Sequence, residues 1–400
     1  MISIEEAQCT ILQGINPLET EKVSLFQGLN RITPVDYIAP WDIPPADKSA
    51  MDGYAFSHSD LRENRLRVTG FIPAGDMRTA PVKKGETVKI MTGAPLPPGC
   101  DTVVPIEDVV TDGECIEITS KVKKGAHVRR RGEDIKEGNV VIPSGALLRP
   151  QEIGMLSAMG ITTLAVYRRA RVAILATGDE LLEPGSTPAP GKIINSNSYS
   201  LAAQVLDAGG EPVLLGIAPD NPEATRDKIK SGMNADILIT TGGVSVGDRD
   251  YVRTAIEEAG GSIIFWKVNM KPGKPLAFAR LQGKPVFALP GNPVSAMVSF
   301  ELFVRPSILK AMGHRRLHRP KVRMTLMEPL TNEGERPHLV RGMVRRVGDN
   351  YQISTTGNQS SGRLSSLTQG NGLIRMPPES SLAAGETVEV LVLDRGFEMD

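Results

Sequence analysis

Between Asp236 and Tyr251 the chain reads DILITTGGVSVGDRDY, an apolar run that breaks into glycines, a serine and acids. Two chemistries fit such a loop. Gly243-Val244-Ser245-Val246-Gly247 matches the G-x-S-x-G pattern of a hydrolase elbow, whose serine attacks a carbonyl. Alternatively, consecutive glycines let backbone N–H groups converge on one oxyanion, with Ser245 donating a hydrogen bond and the next helix adding its positive end. An elbow needs a tight strand-turn-helix and a histidine base. Here Gly247 and Asp248 lengthen the loop before a helical pattern begins near Asp250. The histidines beyond it, His314, His318 and His338, fall in a basic turn and a strand-rich tail. The cradle has the better physics, and it matches no nucleotide motif.

Three more polar loops resemble it in texture: LATGDEL (175–181), IAPDN (217–221) and ALPGNPVS (288–295). They carry Asp179, Glu180 and Asp220, and the first loop adds Asp248 and Asp250. Carboxylates beside a phosphate cradle repel the ligand unless a cation lies between them, and magnesium suits that role. Asp250 could equally cap the helix that follows. In NMKPGKPLAF (269–278), Lys271 and Lys274 flank Pro272-Gly273, a turn able to aim both ammonium groups at one oxyanion; solvated surface lysines read as well. Further upstream, PPADKSAMDGYAF (44–56) holds Asp52, VRRRGEDIKEG (128–138) holds Asp134, and a Pro- and Gly-stiffened loop (90–108) holds Thr92.

The elements that must position these residues follow from periodicity. From Val172 to about Met312 apolar strand-like runs alternate with helical patterns: RVAILAT, EPVLLGIA, DILITT, GSIIFWKV and KPVFALP between SNSYSLAAQVLDAGG, NPEATRDKIKSGM and DYVRTAIEEAGG. NPVSAMVSFELFVRPSILKAMG reads as a long helix bent at Pro306. This alternation predicts a doubly wound, mostly parallel sheet with helices on both faces, and ligands then bind beyond the carboxyl ends of its strands. The four polar loops all follow strands, so they should converge there. Residues 41–134 are rich in strands and turns. From Pro320 short strands separated by Pro, Gly and Asn suggest a small β barrel or sandwich.

Composition sets outer limits. The 400 residues suggest two to four domains. Lys plus Arg equals Asp plus Glu at 46 each, and aromatics are only 4%, which argues against nucleic acid or an anionic membrane as partner. Three cysteines without C-x-x-C spacing, Cys9, Cys100 and Cys115, suit a reducing compartment. No signal peptide and no apolar run of spanning length is read, so a cytoplasmic location is expected.

DKSAMDGYA, MTGAPLPPGCDTVV, RRRGEDI, LATGDEL, TTGGVSVGDRDY, KPGKP, LPGNPVSA and TGNQSSGRLSSL occur in the order found in molybdopterin molybdotransferases, and the chain resembles that family, which includes bacterial MoeA and the gephyrin E domain. The resemblance implies a multidomain α/β plus β fold. Its parts would be a discontinuous helical and β dimerisation domain (1–40 and 135–167), an inserted β-rich domain (41–134), a central α/β domain binding molybdopterin (168–317) and a C-terminal β barrel (318–400). It implies a cytoplasmic homodimer that inserts molybdate into adenylylated molybdopterin, releasing AMP, with magnesium as cofactor. Its partners would be a molybdopterin adenylyltransferase and acceptor molybdoenzymes. By motif, Asp52, Asp134, Asp250, Lys271 and Lys274 are the catalytic positions it points to. Glu180, Asp220 and Asp250 are metal positions. Thr92, Gly242, Gly243, Ser245, Gly247, Ser295, Arg341 and Ser361 bind substrate. A non-catalytic protein that holds and delivers the pterin or finished cofactor is the alternative, and a hydrolase built on Ser245 a third.

Overall fold

The computed structural model describes residues 1–76, 78–244 and 251–394, without the side chains of Arg62 and Glu63. Ser245, Gly247, Asp248 and Asp250 therefore lie outside the described residues. The chain divides into two compact units, Met1–Val23, Asn30–Pro34 and Ala165–Asp400 in the first, Ser24–Leu29 and Val35–Leu164 in the second.

A six-stranded sheet organises the first unit. Its order is Glu211–Ala218, Arg171–Thr177, Ile237–Thr241, Lys284–Leu289, Ala277–Leu281, Ser262–Phe265. The first four strands pair in parallel, Ala277–Leu281 runs against them, and Ser262–Phe265 pairs antiparallel with it. From Val172 to Ala176 the second strand is apolar because both of its faces are covered. Val172 and Ile174 join one core with Leu201 and Val205 of helix Asn197–Asp207 and Val294 of helix Pro293–Ser299. Ala173 and Leu175 join the other, with Ile229 of helix Pro222–Gly232 and Val252 and Ile256 of helix Tyr251–Glu258. Helix Ile4–Gln13 adds Ile4, Ala7 and Ile11 to the first core. The sheet is thus doubly wound, as its alternating pattern requires.

Two local features differ from the sequence reading. Ala277–Leu281 is a strand, forming a hairpin with Lys284–Leu289 through Gln282 and Gly283, whose φ values of 52 and 77 suit a type I′ turn. The prolines of KPGKP and the polar Arg280 hide its apolar pattern. The long helix is irregular before Pro306 rather than at it: a π segment, Phe300–Val304, separates Pro293–Ser299 from Arg305–Ala311. Pro306 has no N–H for the carbonyl of Leu302, and the Gln8 side chain donates to that oxygen instead, at 3.0 Å.

The tail resolves to a barrel. Lys321–Leu326, Asn350–Thr355, His338–Val347, Gly372–Met376 and Thr387–Val392 close on one another around Leu326, Val340, Ile353 and Ile374. Short helix Ser365–Gln369 precedes the fourth of these in the chain.

The second unit holds a six-stranded sheet ordered Thr102–Pro105, Gly53–Phe56, Glu86–Ile90, Arg65–Ile72, Cys115–Ile118, Val109–Asp112. Gly53 of the MDGY segment is required by packing, since a Cβ there would lie 2.0 Å from the Val104 carbonyl oxygen. Helix Pro150–Ala158 also belongs to this unit. Among the described residues no helix is long and apolar enough to cross a membrane.

Candidate functional site

Ala218, Thr177, Thr241 and Leu289 end their strands, and the pairs Thr177–Ala218, Ala176–Thr241 and Thr241–Leu289 are in register. The loops after them therefore start at one level. The chain runs from Arg171–Thr177 outward to Glu211–Ala218, then back across to Ile237–Thr241. The gap between the first and third of these strands is a topological switch point, where open α/β sheets bind ligands. A cavity of about 430 Å³ opens there, lined by Thr177, Glu180, Asn197, Gly242, Gly243 and Asn292 among others. Gly242 has a φ of 94, and a Cβ on it would lie 2.5 Å from the Thr177 carbonyl oxygen, so only glycine lets this backbone turn so tightly over the sheet.

The acidic loops meet on the same side. Asp220 N–H donates to Asp179 Oδ1 at 3.1 Å, tying IAPDN to LATGDEL, and Lys192 Nζ donates to the Asp179 carbonyl at 2.6 Å. Glu180 lines the cavity itself. Among the described residues no three His, Cys, Asp or Glu side chains gather closely enough to hold a metal unaided. The oxygen donors available, Glu180 and Asp220, nonetheless fit magnesium, a hard cation that keeps several waters and shares its shell with phosphate oxygens.

The barrel brings a second cluster to the cavity's border. Lys271 and Lys274 are exposed, while Pro272 and Gly273 between them are buried. Lys271 N–H donates to the Pro337 carbonyl at 2.9 Å and its carbonyl accepts from Leu339 N–H at 2.7 Å, so the KPGKP turn is stitched to the barrel strand. Asn292 Nδ2 donates to Ser361 Oγ at 3.0 Å, and Val294 N–H to the Ser361 carbonyl at 3.2 Å, which sets Ser361 against the LPGNP loop. Ser295, in the first turn of the helix that follows, is buried.

Arg341 is fully buried, at 0% exposure. Its Nε donates to Ser366 Oγ at 3.2 Å and its Nη2 to the Ser360 carbonyl at 3.1 Å, while Nη1 has no partner among the described residues. Burial pushes its guanidinium down to about 10. Nearby, His338 is pushed down to about 4, first by burial and then by the positive charges of Lys271, Arg341 and Arg336. His338 Nε2 is likewise buried without a partner among the described residues. Lys271, Lys274 and Arg341 form no ion pair among the described residues. A site with this many unpaired cations and donors can hold a small dianion.

The second unit carries the other two acids. Asp52 Oδ1 accepts from both N–H and Oγ1 of Thr92, each at 2.7 Å, and these bonds hold its carboxyl below the ordinary range. Asp134 is exposed, with its N–H donated to the Ile43 carbonyl at 3.1 Å. The two acids leave from opposite ends of one small ribbon, Lys48–Ser49 paired with Val128–Arg129. Arg130 and Arg131 of the basic run pair with Asp47 and Asp42, so they serve this turn.

The structure brings the strand-end loops to one side of the sheet, as the sequence pattern predicts, and sets Ser361, which the resemblance singled out, against one of them. The bond between Thr92 and Asp52 was not foreseen, His338 was weighed only as a base for Ser245, and Arg336 and Asn197 were not singled out. His338 stands beside Arg336 and Arg341 in one short basic stretch, which was a visible signal; Asn197 is hidden inside an ordinary helix pattern.

Three family models match the chain in succession: the MoeA N-terminal region (domain I and II) over residues 2–160, a probable molybdopterin binding domain over 173–310, and the MoeA C-terminal region (domain IV) over 323–393. The chain is 35% identical over 399 residues to a molybdopterin molybdenumtransferase of Haemophilus influenzae, covering 98% of each chain. It is 37% identical over 388 residues to one of Nostoc sp., covering 94% of this chain and 89% of the other. Its fold is similar to the crystal structure of a molybdopterin biosynthesis MoeA protein from Pyrococcus horikosii, with a TM-score of 0.85, 31% identity, and 99% and 100% of the two chains covered.

Proposed function

The chain belongs to the molybdopterin molybdenumtransferase family and its role lies in molybdenum cofactor biosynthesis; from that membership we propose that it inserts molybdate into adenylylated molybdopterin and releases AMP. The observation that carries this reading is a set of cations without an ion pair among the described residues beside the cavity: exposed Lys271 and Lys274, on the turn that leads to Pro275 of its wall, and Arg341, buried behind Ser360 and Ser361. Molybdate is a tetrahedral dianion with acceptor oxygens only, and it supplies the charge and acceptors this cluster lacks. Ser361 and Ser295 add hydroxyl donors at the LPGNP loop. The cavity beside it receives the pterin nucleotide, with the Gly242-Gly243 backbone against its phosphates.

The protein's contribution is then to orient the oxyanion and the pyrophosphate, and to stabilise charge as the bond to AMP breaks. Water or a molybdate oxygen attacks phosphorus in line. Magnesium, held through Glu180 and Asp220, with Asp250 from the loop outside the described residues, would neutralise phosphate charge. Asp52, kept ionised by Thr92, and Asp134 act on the substrate as acidic groups. The protein works as a homodimer in the cytoplasm. The second unit favours this, since Phe26 is 87% exposed and the paired residues Ile38 and Val140 are 54% and 53% exposed on one ribbon. A molybdopterin adenylyltransferase supplies its substrate and acceptor molybdoenzymes take its product.

The test mixes the protein with adenylylated molybdopterin, magnesium and molybdate. Molybdate-dependent AMP release and formation of active cofactor are expected. Tight pterin binding without molybdate-dependent AMP release would assign it to delivery instead.

A further inference from the structure

Barrel strand His338–Val347 pairs with Gly372–Met376 on one side and Asn350–Thr355 on the other. The second pairing runs out at Gly342, opposite Thr355. One residue further, Thr356 N–H donates to the Arg341 carbonyl at 3.1 Å, but Thr356 does not take the Arg341 N–H in return. That N–H donates instead to Gln359 Oε1 at 2.8 Å, and Gln359 Nε2 donates back to the Arg341 carbonyl at 3.1 Å. The same Nε2 reaches the Gly357 carbonyl at 3.1 Å and Thr356 Oγ1 at 3.3 Å. A carboxamide carries the donor and acceptor of a peptide group, so Gln359 finishes the strand edge as a strand residue would. Its orientation is fixed. The Arg341 N–H can only donate and the two carbonyls can only accept, so oxygen faces the first and nitrogen the others.

Ser360 and Ser361 follow at once. Ser360 N–H donates to Asn358 Oδ1 at 2.9 Å, and its carbonyl is the one that Arg341 Nη2 meets. The loop therefore grips Arg341 twice, at the main chain through Gln359 and at the guanidinium through Ser360. It then sets Ser361 against Asn292, which lines the switch-point cavity. Residues 356–364 form neither helix nor strand, so no regular ladder sets their register. A slip of one residue would put Ser360 or Gly362 where Ser361 stands. Gln359 is suited to prevent the slip: Asn is one methylene shorter, and an ionised Glu has no proton for the Arg341 carbonyl.

We propose that Gln359 is a positioning residue for oxyanion binding: by completing the strand edge at Arg341 it sets the register of the loop and so holds Ser361 in place beside the cavity. It touches no substrate itself. This rests on the functional reading above for molybdate as the oxyanion and for Ser361 as a donor to it.

Equilibrium dialysis of molybdate against the full chain tests it without needing turnover. Gln359→Met keeps the side chain's length, adds no charge and removes its hydrogen bonds. Molybdate affinity should fall about tenfold, while the protein still melts cooperatively. Ser361→Ala should weaken molybdate as well. Because Gln359 acts through the placement of Ser361, the two losses should not multiply: the double variant should bind within about twofold of the weaker single variant. The proposal is overturned by a native protein that binds no molybdate, by a loss under about threefold in Gln359→Met, by losses that multiply in the double variant, or by a Gln359→Met protein without a cooperative melt, which would make the residue structural. AMP release is measured alongside. Weakened, non-multiplying molybdate binding in a protein that releases no AMP would uphold the proposal and sink the catalytic reading. Molybdate-dependent AMP release with the same molybdate KM in Gln359→Met would do the reverse.

Discussion

At the amino ends of the parallel strands, Arg168 faces Asp236 through two hydrogen bonds of 2.7 Å and reaches Glu19 at 2.7 Å with its third nitrogen. Asp236 also accepts from Arg171 N–H at 2.8 Å, and Lys284 Nζ caps the carbonyls of Met233 and Ala235. Burial works against the Asp236 carboxylate, yet these donors hold it below its ordinary range, and Arg168 is raised in turn by Asp236. At the carboxyl ends of the same strands the account is reversed. Among the described residues Asp179, Glu180 and Asp220 form no ion pair, with only Lys192 near them on the Asp179 carbonyl, Lys271, Lys274 and Arg341 form none either, and buried atoms of Thr177, Asn197 and Arg341 lack partners. One edge is closed chemically and stabilises the fold. The other is left open.

The sharpest way to break this comparison is Arg341→Met. Removing a buried charge that lacks a carboxylate should leave stability unchanged or raise it, while molybdate-dependent turnover falls by about 100- to 1000-fold. Activity assays and thermal melts on one preparation check both; a large drop in melting temperature would mean Arg341 is structural. Next, Asp236→Ala at the closed edge should cost about 3 kcal/mol by denaturant unfolding, because it removes two of the hydrogen bonds of Arg168 and the acceptor of Arg171 N–H. Turnover per folded molecule should hold. Gly242→Ala comes third, at about 1–3 kcal/mol from a Cβ forced into positive φ against the Thr177 carbonyl; nucleotide affinity should fall with it, and unchanged affinity would remove the cradle from this turn.

A last prediction concerns pH dependence. His314 and His338 are both held to about 4, chiefly by burial, with Arg305 acting on the first and Lys271 foremost on the second. An unfolded histidine titrates near 6.5. Between these values the unfolded chain binds more protons, so stability present above about pH 6.5 is lost as pH falls toward 4. His338→Gln should flatten that decline in a series of melting temperatures. Identical slopes would show that His338 is not held neutral in the fold.

Much of the open edge was legible in the residues. Glycine and proline punctuate the strand ends, so LATGDEL, IAPDN, TTGGV and ALPGN could be placed on one side of a sheet before any contact was known. Periodicity also predicted helices on both faces of the sheet. The hairpin strand Ala277–Leu281 was not legible, because the prolines ahead of it signal a turn more strongly than its apolar residues signal a strand. Pairing was the other blind spot. Nothing local in Thr92 announces a bond to Asp52, forty residues away, and nothing in TGNQSSG shows that the Gln359 amide reaches the Arg341 main chain. Both depend on backbone groups that only the fold brings near.

The bond from Gln8 to the Leu302 carbonyl has a consequence for synthesis. The two residues are 294 apart in sequence, and translation at about 5–20 residues per second puts on the order of 15 to 60 seconds between them. For that interval helix Ile4–Gln13 has its apolar face made and its packing surface not yet translated. Ile4, Ala7 and Ile11 must wait on the ribosome for the segment around Phe300–Val304. The irregular turn that Pro306 imposes is therefore completed by a segment that emerges 294 residues before it, and the nascent chain is exposed to aggregation or to holding factors until then.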